Sequence, residues 1–159
     1  MRKHLIMATI LGMIVVATPG PRALRAQTTA DSAAIRATAL DYILAWYTAD
    51  ADRMSRALHP ELVKRVHLTD PQSGSSWIDG QGKTRLVAAT RHGGGKATPT
   101  ADRRADVTIL DIFRGAAVAR VDASDWVDYL QMVREDGRWL ILNVLWELRR
   151  PPQPESGDD

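Results

Sequence analysis

Apolar and polar positions alternate most clearly between Trp126 and Leu148, in the run WVDYLQMVREDGRWLILNVLWEL. Two segments rich in Val, Leu, Tyr and Trp flank Asp136-Gly137, a dipeptide that readily supplies the positive φ angles of a tight hairpin turn. With those two residues in the turn, Glu135 pairs with Arg138, Val133 with Leu140, Gln131 with Leu142, Tyr129 with Val144 and Val127 with Trp146. Strand side chains alternate with a period of two, so these residues share one face. The other face carries Trp126, Asp128, Leu130, Met132, Trp139, Ile141, Asn143, Leu145 and Glu147. Both faces are largely apolar, so neither is expected to face water alone. One is expected to line a core or pocket and the other to meet a second sheet or subunit.

Upstream the period changes. Ile35, Ala39, Tyr42, Ile43, Trp46 and Tyr47 fall on one helical stripe, with Asp31 or Ser32 as its cap. A short helix with Met54, Ala57 and Leu58 inward is expected after a cap at Asp50. Glu61 to Val66 reads as a third helix after His59-Pro60, since proline suits a first turn. Trp77 and Ile78 suggest a brief strand in a polar segment. Thr84 to Thr90 suggests a fourth helix, closed by Gly93 in a left-handed cap. Residues 92–104 read as a loop, followed by strands at Asp106 to Phe113 and Ala116 to Ala123, linked at Arg114-Gly115. Helices first and an antiparallel run afterwards make an α+β domain. A long helix with a curved sheet needing cover on both faces suggests a cone with the helix across its mouth.

The first 26 residues have the layout of a secretory signal. Arg2 and Lys3 precede an apolar run from Leu5 to Ala17, and Pro19-Gly20-Pro21 breaks it before Ala26. That run is well short of the roughly 20 residues a membrane span needs. The expected organisation is therefore a signal peptide over 1–26, one domain over 30–149, and a Pro-rich acidic tail over 150–159 expected to be disordered. The leader takes four basic residues and no acidic one with it, so the formal charge falls from +2 to −2. The basic balance of the whole chain is thus no sign of nucleic-acid binding. There is no cysteine; disulfides and thiol chemistry are excluded, and an oxidising compartment is harmless. The expected location is exported, periplasmic or secreted.

Several familiar patterns are absent. Gly93 to Thr98 imitates a phosphate loop, but Thr90 stands at its first glycine and Ala97 follows the lysine. His59, His67 and His92 lack zinc-ligand spacing, and no serine sits in a nucleophile elbow. No cofactor or metal is expected.

The pieces YILAWYTADADRM (Tyr42 to Met54), HPEL (His59 to Leu62) and DYLQMVREDGRWLILNVLW (Asp128 to Trp146) resemble the nuclear transport factor 2-like superfamily, and within it the putative lumazine-binding branch. The resemblance covers roughly Ala30 to Arg149. It implies an α+β cone, frequent homodimers through the sheet, and a pocket between the first helix and the concave sheet face. It implies no single activity, since the fold hosts isomerases, cyclases, dehydratases and binders, and lumazine is not inferred as the ligand. By position, Tyr42 and Asp70-Pro71 also resemble the oxyanion donor and the general base of ketosteroid isomerases. The acidic donor of that family falls near Tyr129, which carries no carboxyl group.

From periodicity, Tyr42, Trp46, Tyr129, Gln131 and Trp146 point into one space, either as core or as a small-molecule pocket for an apolar or aromatic ligand. Asp128 and Asn143 fall on the other face and are not expected in the pocket. A homodimer is expected through the face bearing Trp126, Leu130, Trp139 and Ile141. The function expected is exported, non-catalytic small-molecule binding. The alternative is an isomerase or cyclase with Asp70 as base and Tyr42 as oxyanion donor.

Overall fold

A computed structural model describes residues 21–149. Residues 1–20 of the leader expected over 1–26, and the acidic tail over 150–159, lie outside them; residues 21–26 belong to the first helix. Three helices, α1 (Pro21–Thr48), α2 (Ala51–Ala57) and α3 (Lys83–Arg91), pack on six strands. These are β1 (Leu58–Thr69), β2 (Ser76–Gly82), β3 (Ala105–Phe113), β4 (Ala116–Ala123), β5 (Trp126–Glu135) and β6 (Arg138–Leu148). They form one sheet in the order β2-β1-β6-β5-β4-β3, antiparallel except where β1 runs parallel to β6.

The first helix starts earlier than its expected cap. Asp31 lies within α1, and its carboxylate reaches the sheet. It accepts from the Trp139 indole Nε1 at 3.1 Å and pairs with Arg134 at 3.1 Å. The stripe itself is as its spacing requires: Ile35, Ala39, Tyr42, Ile43 and Tyr47 are all buried. Part of that stripe packs against β4, which offers the small side chains Ala117, Ala119 and Ala123. Asp50 caps α2 by accepting from the Arg53 amide at 2.8 Å.

The expected helix over Glu61 to Val66 is strand instead. Leu62 and Val66 stand four apart, which satisfies both a helical turn and a strand face. Inward burial of Leu62, Lys64 and Val66 shows the period of two. A lysine at an inward position hid that alternation. Pro60 falls where the β1–β6 register is irregular, between Leu58 and Val63, and proline is tolerated there because no ladder N–H is required.

The hairpin turn is as expected: Asp136 and Gly137 both have positive φ, and Glu135 pairs with Arg138 and Val133 with Leu140. Beyond that the register departs from expectation. Met132 pairs with Ile141 but Gln131 pairs with Asn143, so Leu142 is an extra residue in β6. A bulge of one residue reverses the facing of everything past it. The concave face therefore takes Asp128, Leu130 and Met132 from β5, with Trp139 and Ile141 before the bulge and Val144 and Trp146 after it.

This corrects the expected dimer face. Leu130, Trp139 and Ile141 are buried in the core under α1, and Trp126 packs against that core half-buried. The helix covers that apolar surface, so it is not available for a partner.

Candidate functional site

A cavity of about 280 Å³ lies between α1 and the concave sheet face. Its walls come from Tyr42, Ile43 and Trp46 on α1, Met54 on α2, Leu86 on α3, and Lys64, Gln81, Trp126, Trp146 and Leu148 on the sheet. The lining is mostly apolar, with three indoles among it. Small-molecule sites commonly have this composition, a hydrophobic enclosure with a few placed polar groups.

The polar groups form one cluster. Lys64 faces inward between Gln81 on β2 and Val144 on β6, its partners across the two ladders. Its Nζ donates to Asp128 Oδ1 at 2.5 Å and to the Tyr42 hydroxyl at 2.6 Å. The Tyr42 hydroxyl in turn donates to Asp128 Oδ2 at 3.2 Å. The same Oδ2 accepts the indole N–H of Trp126, two residues along the same strand face, at 2.7 Å. Lys64 Nζ also lies 5.1 Å from the Trp146 ring centroid and 5.4 Å from that of Tyr42.

Asp128 is fully buried and Lys64 nearly so. Desolvation of both charges is costly, and it is tolerable here because the carboxylate accepts three hydrogen bonds and the ammonium has an anion in contact. Burial pushes the Lys64 ammonium below the ordinary lysine pKa, opposed by the attraction of Asp128. Burial, then the neighbouring carboxylate, raises the Tyr42 hydroxyl well above the ordinary tyrosine value. Tyr42 is thus a neutral hydroxyl at physiological pH, able to donate.

Of the five residues expected to share a pocket, Tyr42, Trp46 and Trp146 line this cavity. Tyr129 and Gln131 do not. They project from the opposite, outer face, where they line a shallow groove with Arg65, Val118, Asn143 and Leu145. The bulge at Leu142 is the reason, because it puts Trp146 on the same face as Asp128 rather than Tyr129. Asp128 and Lys64 were missed for related causes. The straight register placed Asp128 outside, and Lys64 sat in a segment read as helix. The signal that could have found them is their number: each is a lone charge among apolar positions of a strand.

Asp70 lies in the turn between β1 and β2. Its Oδ1 accepts from the amides of Gln72 at 2.8 Å and Ser73 at 3.3 Å, as in an Asx turn. Those bonds, that to Gln72 first, hold its carboxyl below the ordinary aspartate range. It does not line the cavity that holds Tyr42. A base there cannot act with a tyrosine it does not face.

The glycines once compared with a phosphate loop have a packing role. Gly95 N–H donates to the Trp46 carbonyl at 3.0 Å, and the segment lies against the Trp46 indole. A Cβ on Gly95 would stand 2.6 Å from Trp46 Cδ1 and Nε1. Glycine there lets the loop back one wall of the cavity.

The family model described as "Putative lumazine-binding" matches residues 30–147. Among curated proteins none matches the sequence significantly. Among solved structures, an NTF2-like protein of unknown function from Shewanella baltica OS155 is similar with a TM-score of 0.57 and 18% identity, over 77% of this chain and 96% of that one. An NTF-2 like protein of unknown function from Silicibacter pomeroyi DSS-3 gives 0.56 and 17%, over 77% and 98%. An NTF2-like protein with a cystatin-like fold from Novosphingobium aromaticivorans gives 0.58 and 16%, over 80% and 88%. At such identities the likeness is one of fold: the α+β cone of the nuclear transport factor 2-like proteins.

Proposed function

The chain belongs to the putative lumazine-binding family of the nuclear transport factor 2-like superfamily, and we propose that it binds a small, flat, mostly apolar molecule in the cavity between α1 and the concave sheet face. The observation that supports this is the cavity itself, with Trp46, Trp126 and Trp146 in its lining and one polar cluster whose charges offset each other. A ring stacked on an indole gains dispersion and area burial. A ligand with many polar edges gains little, because each hydrogen bond lost to water and not remade costs about 1–3 kcal/mol. The ligand class is therefore an aromatic or alicyclic ring with few polar atoms. Quenching of tryptophan fluorescence by naphthalene-type probes measures binding directly. Saturable quenching that Trp146→Ala weakens is expected, and probes that never quench the folded protein would overturn the reading.

The isomerase alternative with Asp70 as base has no support in the geometry, since Asp70 is bound up in its turn, away from the cavity wall. Tyr42 remains in the site as a hydroxyl held between Lys64 and Asp128.

Export is part of the same proposal. The tripartite order of residues 1–26 supports a mature protein beginning near Gln27 in the periplasm or outside the cell. N-terminal sequencing of natively expressed protein is expected to find Gln27 or a near neighbour, and an intact Met1 on soluble protein would refute it. A homodimer, if it uses the sheet, must use the outer face. Tyr129 and Leu145 stand 42% and 57% exposed there. Leu145→Lys is expected to shift the sedimentation coefficient to that of a monomer, and a wild type that already sediments as monomer overturns the dimer.

A further inference from the structure

We propose that Lys64 is a covalent capture site for carbonyl compounds, an amine in the cavity that forms a Schiff base with a ring-bearing aldehyde or ketone. The inference rests on the binding reading above and deepens it by naming the reactive class of ligand.

Three observations carry it. Lys64 is on the wall of the apolar cavity, and its amine is within 5.1 Å of the Trp146 ring centroid, a flat surface for an aryl group beside the reacting carbon. A carboxylate in contact, Asp128, is placed to take the proton that keeps the amine unreactive. The Tyr42 hydroxyl touches both groups, so a proton can pass between carboxylate and departing oxygen without solvent. Desolvation makes the buried ammonium give up its proton more readily than an exposed one, against the opposing attraction of Asp128.

The chemistry balances with no other reagent. Lys64 passes a proton to Asp128, and the Nζ lone pair forms a C–N bond to the carbonyl carbon while the C=O π pair moves to oxygen. That oxygen takes the proton from Asp128. Asp128 then removes a proton from nitrogen and returns it to the hydroxyl, which leaves as water as the nitrogen lone pair closes the C=N bond. The product is a protonated imine paired with the Asp128 carboxylate, so the charge of the pair is the same before and after. Apolar walls favour loss of the water, and they slow the hydrolysis that reverses the reaction at surface lysines.

Benzaldehyde with sodium cyanoborohydride tests this on the full folded chain, because reduction fixes any imine as a benzyl amine that peptide mass mapping can locate. The expected result is a benzyl group on Lys64 at doses that leave Lys83 and Lys96 unmodified, with the adduct lost after denaturation before labelling. Lys64→Arg keeps a cation beside Asp128 but cannot form the imine, and labelled under the same conditions it is expected to lose the adduct on the cavity peptide while Lys83 and Lys96 stay unmodified. The wild-type map decides the matter even where that variant folds poorly. Quenching by benzaldehyde with no preference for Lys64 overturns the covalent proposal and leaves the binding reading standing. Neither quenching nor a Lys64 adduct overturns both.

Discussion

Lys64 and Asp128 show what a buried charge costs and what it specifies. Removing one partner strands the other in an apolar site, a loss of about 3–5 kcal/mol. Lys64→Met and Asp128→Leu singly are therefore expected to lower stability by that order. The double variant, with neither charge left, is expected to recover part of it, because an apolar pair needs no desolvation while the Tyr42 hydroxyl and the Trp126 indole N–H lose their acceptor. Urea melts of the four proteins in a double-mutant cycle read this out. Additive losses would mean that the two side chains are not coupled, against the 2.5 Å contact. Gly95 is a second case at this scale. Gly95→Ala puts a methyl group 2.6 Å from the Trp46 indole, an overpacking that costs about 1–3 kcal/mol. The indole can yield only by moving, and it lines the cavity, so weakened probe quenching is expected together with the lower melting temperature.

Among the elements, the β5–β6 hairpin has the largest consequence. Its turn is local: Gly137 adopts positive φ because it has no Cβ and Asp136 because its short polar side chain tolerates that region, and the first pairs follow. Its bulge is not local. Leu142 is extruded where the concave face must carry Ile141 below the bulge and Val144 and Trp146 above it, and no dipeptide signals that. The choice of face decides the outcome of Ile141→Lys. Ile141 is fully buried against the helix layer, so a lysine there is expected to abolish cooperative folding by circular dichroism rather than to give a folded monomer. A folded, soluble Ile141→Lys protein would show that the core is elsewhere.

The acid response belongs to the whole molecule. Asp122 on β4 accepts from Arg120 at 2.7 Å and from Arg149, just past β6, at 2.7 Å. The Arg120 hydrogen bond first, and Arg149 with it, holds its carboxyl below the ordinary aspartate range. A carboxyl lowered in the fold contributes stability that is present above its unfolded pKa and is lost as pH falls through the folded one. Stability is therefore expected to decline on acidification below the ordinary carboxylate range, with a smaller slope in Asp122→Asn. Urea midpoints at a series of acidic pH values check this, and an unchanged slope in the variant would exclude Asp122 as a contributor.

The sequence by itself determined the α+β class, the buried stripe of α1, the turn at Asp136-Gly137, strands β3 and β4, and the family, because each rests on short-range periodicity or turn chemistry. It also placed Tyr42 and Trp46, whose cavity-facing positions follow from one helical stripe; Trp146 was expected in the pocket on the face of Tyr129, and it is the bulge that turns it to the cavity. Tertiary structure alone decided the rest. Leu62 and Val66 fit helix and strand equally, and pairing of β1 with β2 and β6 settled the matter. The single extra residue at Leu142 moved Tyr129 and Gln131 to the outer face and brought Asp128 inward to meet Lys64 and Tyr42. A register is set by the sum of contacts across a whole sheet and the helix over it, and no window along one strand contains that sum.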